Sequence, residues 1–253
     1  MNDKKIGIFD SGLGGLSILN ELLRVLPNED YLFYEDSINN PYGEKSDEEL
    51  FSITSDVVDY LLKNDCKIIV IACNTATTSC MKKLREKYKN TIFVGTVPAI
   101  KVAYDNNLKH TLLLATPYTI KSERVQELLE EYTASNQSIF VTSGENLANL
   151  IELDNKEEIY DLLNKILLPY KDKIDSIILG CTHYPLVKTT IKEILPSVEI
   201  LDGSIGVAKE VKHQLELNNM LNNSKEKGNI KIINSKSNDS VNRSFKILEN
   251  MLK

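Results

Sequence analysis

The sequence predicts an α/β protein built from doubly wound parallel sheets. Two observations carry that reading. Short apolar strands alternate with helical stretches along all 253 residues. The strongest strands are also continuous apolar runs, the pattern of strands covered on both faces of a parallel sheet. Ile68-Ile69-Val70-Ile71 is the clearest; it runs through Ala72 into Cys73-Asn74-Thr75, and a helix follows. Far downstream, Ile177-Ile178-Leu179-Gly180-Cys181-Thr182-His183-Tyr184-Pro185 repeats the arrangement. Open α/β sheets bind ligands at the carboxyl ends of their strands. Both Cys73 and Cys181 fall at such an end, in two halves of one chain. The repeat suggests two thiols facing each other across one cleft.

Length and composition narrow the function. The chain can form one large α/β domain or two smaller ones with full cores. A net charge of -6 and the lack of a long basic run argue against nucleic acid as a partner. There is no Trp and aromatic content is 7%, so no stacking platform stands out. No apolar run reaches membrane-spanning length, and residues 1–5 are polar without a signal peptide, so a cytoplasmic location is expected. In that reducing compartment Cys66, Cys73, Cys80 and Cys181 read as catalytic, metal-binding or buried thiols, not as a disulfide framework.

The elements follow in order. A strand over 5–9 runs into Asp10-Ser11-Gly12-Leu13-Gly14-Gly15 and a helix over 16–26. Such a turn can cradle an anion on its backbone, although the glycine spacing is not the dinucleotide fingerprint. Tight turning alone accounts for Gly14 and Gly15; it leaves Asp10 unexplained. A strand over 31–34 leads to a polar loop holding Asn40-Pro41-Tyr42-Gly43, a turn with an aromatic tip. Ser46 and Glu49 form a capping box for a helix reaching 64.

After Cys73, with Thr75 as the expected N-cap, a helix spans 76–89. A strand over 91–95 and a helix start at Thr96-Val97-Pro98-Ala99 mark the crossing into the second half. Strands are then expected over 111–115, 138–141, 177–179 and 198–201, with a further one over 227–234. Helices are expected from 120, through 169, over 185–195, up to 219 and over 241–253. Thr142-Ser143-Gly144-Glu145-Asn146 reads as a polar link, and 218–227 as a flexible surface connection.

A thiol becomes a nucleophile or base as the thiolate, which helix N-termini and cations favour. One thiolate and one thiol on opposite faces of a carbon would remove and deliver a proton, which is racemisation or epimerisation. The carbanion needs donors around it; Ser11, Asn74, Thr75 and Thr182 are candidates. His183 is placed to tune Cys181, and Asp10 to do the same for Cys73 or to hold an ammonium group. His110 and His213 lie outside these motifs. Cys66 and Cys80 read as small buried hydrophobes. A metal site from Cys73, Cys181 and His183 lacks a paired Cys-x-x-Cys signature, and redox pairs usually lie close in sequence.

At these motifs the chain resembles the cofactor-independent Asp/Glu racemase family, its glutamate racemases most closely. The matching stretches are 6–16, Asn40-Pro41-Tyr42-Gly43, 72–77, Thr116 with Thr119-Ile120, and 179–186. The resemblance implies two doubly wound parallel-sheet domains related by a pseudo-twofold, with the active site in the cleft between them. The first domain would span 1–97 plus 208–253 and the second 98–207. Cys73 and Cys181 match the acid/base cysteines, and Asp10 and His183 the groups that assist them. Asp10, Ser11, Pro41, Tyr42, Gly43, Asn74, Thr75, Thr119, Thr182 and His183 match substrate-binding positions.

The resemblance further implies interconversion of L- and D-glutamate, supplying D-glutamate for peptidoglycan, by a cytoplasmic homodimer. Neither pyridoxal phosphate nor a metal is implied. Thr96-Val97-Pro98-Ala99 and Thr142-Ser143-Gly144-Glu145-Asn146 depart from the family's pattern. Aspartate differs from glutamate by one methylene, which a pocket resolves by only about 1–3 kcal/mol, so an aspartate racemase remains an alternative. A related isomerase or a non-catalytic amino-acid-binding protein are the others; the latter would not need both thiols.

Overall fold

The computed structural model describes residues 4–133 and 137–252. The first part of the polar N-terminal stretch and Lys253, the expected end of the last helix, lie outside the described residues. The elements run in the order β1 (Lys5–Asp10), α1 (Leu16–Val25), β2 (Tyr31–Glu35), α2 (Asp47–Lys63), β3 (Cys66–Ile71), α3 (Asn74–Lys87) and β4 (Ile92–Gly95). There follow α4 (Ile100–Asp105), β5 (His110–Ala115), α5 (Pro117–Lys121), α6 (Glu123–Glu131), β6 (Ser138–Ser143), α7 (Leu147–Glu152), α8 (Lys156–Leu167), β7 (Ser176–Gly180), α9 (Lys188–Ile194) and β8 (Glu199–Asp202). The chain closes with α10 (Ser204–Leu217), β9 (Ile230–Asn234) and α11 (Asn238–Leu252). Two compact units result: one holds residues up to Thr96 and those from Ser204 on, the other Val97–Gly203.

The first unit carries a five-stranded sheet, order β4-β3-β1-β2-β9, with every pairing parallel. All six residues of β3 are buried: the apolar run 68–71 as an inner strand covered on both faces requires, and Lys67 through its pairing with Glu29. On α1, Leu16, Leu19 and Leu22 recur at helical spacing and are buried, and the helix packs with α10 and α11. The capping box on α2 forms: Ser46 Oγ accepts from the Glu49 N–H, and the Glu49 carboxylate accepts from the Ser46 N–H.

The second unit carries a four-stranded parallel sheet, order β6-β5-β7-β8. Alternation along the strands divides its core. Leu112, Leu114, Ile177 and Leu179 face the buried residues of α7, α8 and α9, while Leu113, Ala115 and Ile178 face those of α4 and α6. Two doubly wound parallel-sheet units are therefore the fold, as the sequence predicts.

Three local expectations are corrected. The 142–146 link is strand at its start, because Thr142 and Ser143 pair with Leu114 and Ala115 at the end of β6. The helix expected over 185–195 is a 3-10 turn over Tyr184–Val187 followed by the short α9; Pro185 in the first turn supplies no N–H. The 218–227 connection is tied down rather than loose. Lys67 Nζ donates to Glu29 Oε2 at 2.6 Å and to the Met220 carbonyl at 2.8 Å. The Asn222 N–H donates to Glu29 Oε1 at 2.7 Å, and Asn28 Nδ2 to the Ser224 carbonyl at 2.8 Å. Gly228 ends the stretch against the Glu29 carbonyl, which lies 1.9 Å from where a Cβ would sit.

Candidate active site

In the first unit, β1 and β3 bring Asp10 and Cys73 to neighbouring strand ends, and the Ala72 N–H continues the ladder onto the Phe9 carbonyl at 2.8 Å. Cys73 is buried and is itself the N-cap of α3, without a side-chain capping bond. This corrects the expected cap at Thr75: the helix starts two residues earlier, with the Thr77 N–H bonded to the Cys73 carbonyl at 2.9 Å. The thiol thus stands at the positive end of a 14-residue helix, a setting that favours the thiolate.

Asp10 is fully buried, and its Oδ2 accepts from the Gly15 N–H at 2.8 Å. Gly15 is required by close approach, since an added Cβ would meet Phe33 Cε2 at 2.7 Å and Asp10 Cβ at 2.8 Å. No described glycine has positive φ, so conformational freedom is not its reason. Ser11, Asn74 and Thr75 are buried beside these strand ends. Asn74 Oδ1 is buried with no hydrogen-bond partner among the described residues, an acceptor left over for an incoming donor.

Tyr42 is buried between the exposed Pro41 and Gly43, after a cis Asn40–Pro41 bond. Its hydroxyl donates to Asp36 Oδ2 at 2.7 Å. Burial, then the Asp36 carboxylate, and more weakly Cys73 and Asp10, push its hydroxyl well above the usual phenol range. That charge coupling brings Tyr42, Asp10 and Cys73 into one neighbourhood.

In the second unit, Cys181 follows β7. Gly180 before it allows β5 and β7 to pack, since a Cβ there would lie 2.6 Å from Ala115 Cβ. Cys181, Thr182 and His183 are all buried. His183 Nδ1 lies 3.8 Å from Cys181 Sγ, and Nε2 lies 2.6 Å from Glu152 Oε1. Burial by itself would lower the imidazole's pKa. The hydrogen bonds to Cys181 and to the Glu152 carboxylate outweigh it and hold His183 well above the usual imidazole value. Cys181 is followed by a 3-10 turn, not a long helix, so His183, rather than a helix N-terminus, is the neighbouring group that can carry positive charge.

Thr119 is fully buried at the start of α5. Its N–H donates to Thr116 Oγ1 at 3.2 Å, and Thr116 Oγ1 donates to Thr119 Oγ1 at 3.0 Å. Tyr184 is buried, and its hydroxyl donates to the Gly144 carbonyl at 2.9 Å. Burial pushes the thiols of Cys66, to about 12, and of Cys80 upward, which keeps both protonated and inert. His110 and His213 are exposed. Among the described residues no group of three or more His, Cys, Asp or Glu side chains is placed to hold a metal ion, and no helix is long and apolar enough to cross a membrane.

Two residues of this geometry have no sequence signature. Glu152 ends α7, 31 positions before His183, in a stretch rich in ordinary surface carboxylates. Asp36 stands in a polar loop where any acidic residue reads as solvated.

A family model described as Asp/Glu/Hydantoin racemase matches residues 27–210, well over half of the chain. The chain belongs to that family. The resemblance carried by the motifs is thereby borne out, and the chain is an enzyme of the racemase class. It is 41% identical over 240 residues to a glutamate racemase of Clostridium perfringens, covering 93% of this chain and 92% of the relative. Two solved racemases share the fold along the whole chain. One is Escherichia coli glutamate racemase in complex with L-glutamate and the activator UDP-MurNAc-Ala, at 29% identity and a TM-score of 0.84, covering 98% of this chain and 95% of that one. The other is Francisella tularensis glutamate racemase in complex with D-glutamate, at 27% identity and a TM-score of 0.81, covering 100% and 94%.

Proposed function

We propose that this chain is a glutamate racemase working by two-base proton transfer. One of Cys73 and Cys181 takes the Cα proton as a thiolate; the other, as a thiol, gives a proton to the opposite face. The electron pair left by the broken C–H bond is held as a carbanion delocalised into the α-carboxylate, then forms the new C–H bond. Each turnover exchanges which cysteine is protonated, and the return direction restores it. The proton balance closes on one thiolate and one thiol without a cofactor.

The observation that carries this reading is the Cys181–His183–Glu152 chain. A buried imidazole whose pKa is held up by a carboxylate on one side lies next to the Cys181 sulfur on the other, placed to relay or balance charge there. On the other side, the α3 N-terminus favours the Cys73 thiolate. Asp10 suits the substrate ammonium or the Cys73 proton. The Ser11, Asn74, Thr75, Thr119 and Thr182 side chains, with the Pro41-Tyr42-Gly43 turn, suit the two carboxylates. Glutamate as substrate is supported by the relatives, which are glutamate racemases, two of them solved with opposite enantiomers of glutamate. The reading extends to a cytoplasmic homodimer supplying D-glutamate for peptidoglycan, as the motif resemblance implies. Four free cysteines suit a reducing compartment.

Incubation of the protein with L-glutamate in D2O tests the reading, with L-aspartate in parallel. Loss of optical rotation with deuterium entering Cα is the expected result for glutamate. Racemisation of glutamate should vanish when either Cys73 or Cys181 becomes Ala. No exchange by folded, reduced protein would overturn the proposal, and faster turnover of aspartate would move the substrate.

A further inference from the structure

Asp36 makes a set of contacts that the proposed chemistry does not use. It follows β2 and is 1% exposed. A buried carboxylate is costly unless its oxygens are hydrogen-bonded. Both of its oxygens accept from Asn39 Nδ2, at 3.0 and 2.9 Å, and Oδ2 also accepts from the Tyr42 hydroxyl at 2.7 Å. These partners are neutral side chains of its own loop. Its N–H donates to the Asp10 carbonyl at 2.8 Å, and its carbonyl accepts from the Asn39 N–H at 3.1 Å. One residue therefore ties the 39–42 loop to the strand end that bears Asp10.

The loop's other contacts are few. Pro41 and Gly43 on either side of Tyr42 are exposed. Only the Tyr42 ring is buried, and the 3-10 turn over Tyr42–Glu44 packs against α3, the helix capped by Cys73. We propose that Asp36 is a positioning residue, whose buried carboxylate holds Tyr42 and Asn39 and so fixes the 40–43 turn beside Cys73 and Asp10 for substrate binding. The inference rests on the racemase reading above. It deepens that reading by naming what pre-organises the turn, which otherwise would be ordered at the moment of binding at a cost in affinity.

The kinetics of D36A, D36N, Y42F and D36A/Y42F against wild type, with L- and D-glutamate, test the assignment. A turn that binds ground state and transition state alike changes KM more than kcat when it is loosened. A merely destabilised fold removes active protein instead, lowering kcat and leaving KM alone. For D36A, KM is expected to rise about tenfold for both enantiomers with kcat within about threefold of wild type. Y42F should raise KM by a smaller factor and add little on top of D36A, because both remove the same bond. D36N keeps an acceptor for Tyr42 but sets an amide donor against Asn39, so its KM rises less than that of D36A. It carries the test if D36A does not fold. Unchanged KM in the folded variants, or full additivity of Y42F on D36A, overturns the inference alone. An inactive wild type overturns the proposed function and this inference with it.

Discussion

Glu152 Oε1 lies 2.6 Å from His183 Nε2, and the same ring presents Nδ1 to Cys181 Sγ at 3.8 Å. The carboxylate holds the ring's orientation and its charge together. A cationic imidazole buried without that partner would be expensive, so the whole arrangement depends on a residue at the end of α7.

E152Q keeps the shape and removes the charge. The His183 pKa should fall, since one of the two groups raising it is gone. The alkaline limit of activity then moves to lower pH, and kcat/KM at neutral pH drops, by less than the about 10²- to 10⁴-fold that a directly acting proton-transfer group contributes, because Glu152 acts only through His183. The stability change has a definite sign. A folded-state pKa raised above the unfolded value near 6.5 contributes stability fully present below that value and lost as pH rises through the raised pKa. The Tm gap between wild type and E152Q should therefore be widest near pH 6 and narrow on the alkaline side. A pH-independent gap and an unmoved pH profile would show that Glu152 does not set the charge of His183.

Gly144 is held by Tyr184 rather than by its own backbone. A Cβ at this position would lie 2.4 Å from the Tyr184 hydroxyl oxygen and 2.8 Å from Cζ, in a ring that is fully buried. G144A should therefore destabilise the protein by about 1–3 kcal/mol, the usual cost of overpacking, and lower Tm by several degrees. Y184F alone loses one buried hydrogen bond, about 1 kcal/mol. In G144A/Y184F the closest clash is gone, so the double variant should be more stable than the sum of the singles predicts. Thermal unfolding of the four proteins decides it; simple additivity would mean that the loop shifts away from Tyr184 at little cost.

The sequence carried the sheets and the two thiol motifs because each is written locally. β3 holds the apolar run 68–71, and each thiol stands just past a strand end, Cys73 before a helix and Cys181 before a 3-10 turn. His183 is legible for the same reason, being two residues from its thiol. Glu152 and Asp36 are not, because their meaning lies in partners reached only through the fold, and a single carboxylate in a polar stretch looks like solvated surface. The Thr75 cap failed differently. Side-chain preference pointed to Thr, but the helix begins directly at the strand end, where the cap position falls to Cys73.

The 218–227 connection reads as loose for the same compositional reason, and its anchor is the buried ion pair Glu29–Lys67. Both side chains are 2% exposed at 2.6 Å, and each also binds the connection's backbone, Lys67 through the Met220 carbonyl and Glu29 through the Asn222 N–H. Removing one partner strands the other charge in the interior, which costs about 3–5 kcal/mol. K67M should therefore lower Tm strongly, and E29Q likewise. E29Q/K67M leaves no buried charge and should recover much of the loss in either single variant. The backbone bonds to Met220 and Asn222 weaken in each case, so limited proteolysis should cut between Asn222 and Lys227 faster than in wild type. Activity per folded molecule should be unchanged below the melting transition, because the pair lies at the amino ends of the strands, opposite Asp10 and Cys73. Unaltered proteolysis in K67M would mean that the connection is held by Asn28 and Asn222 without the ion pair.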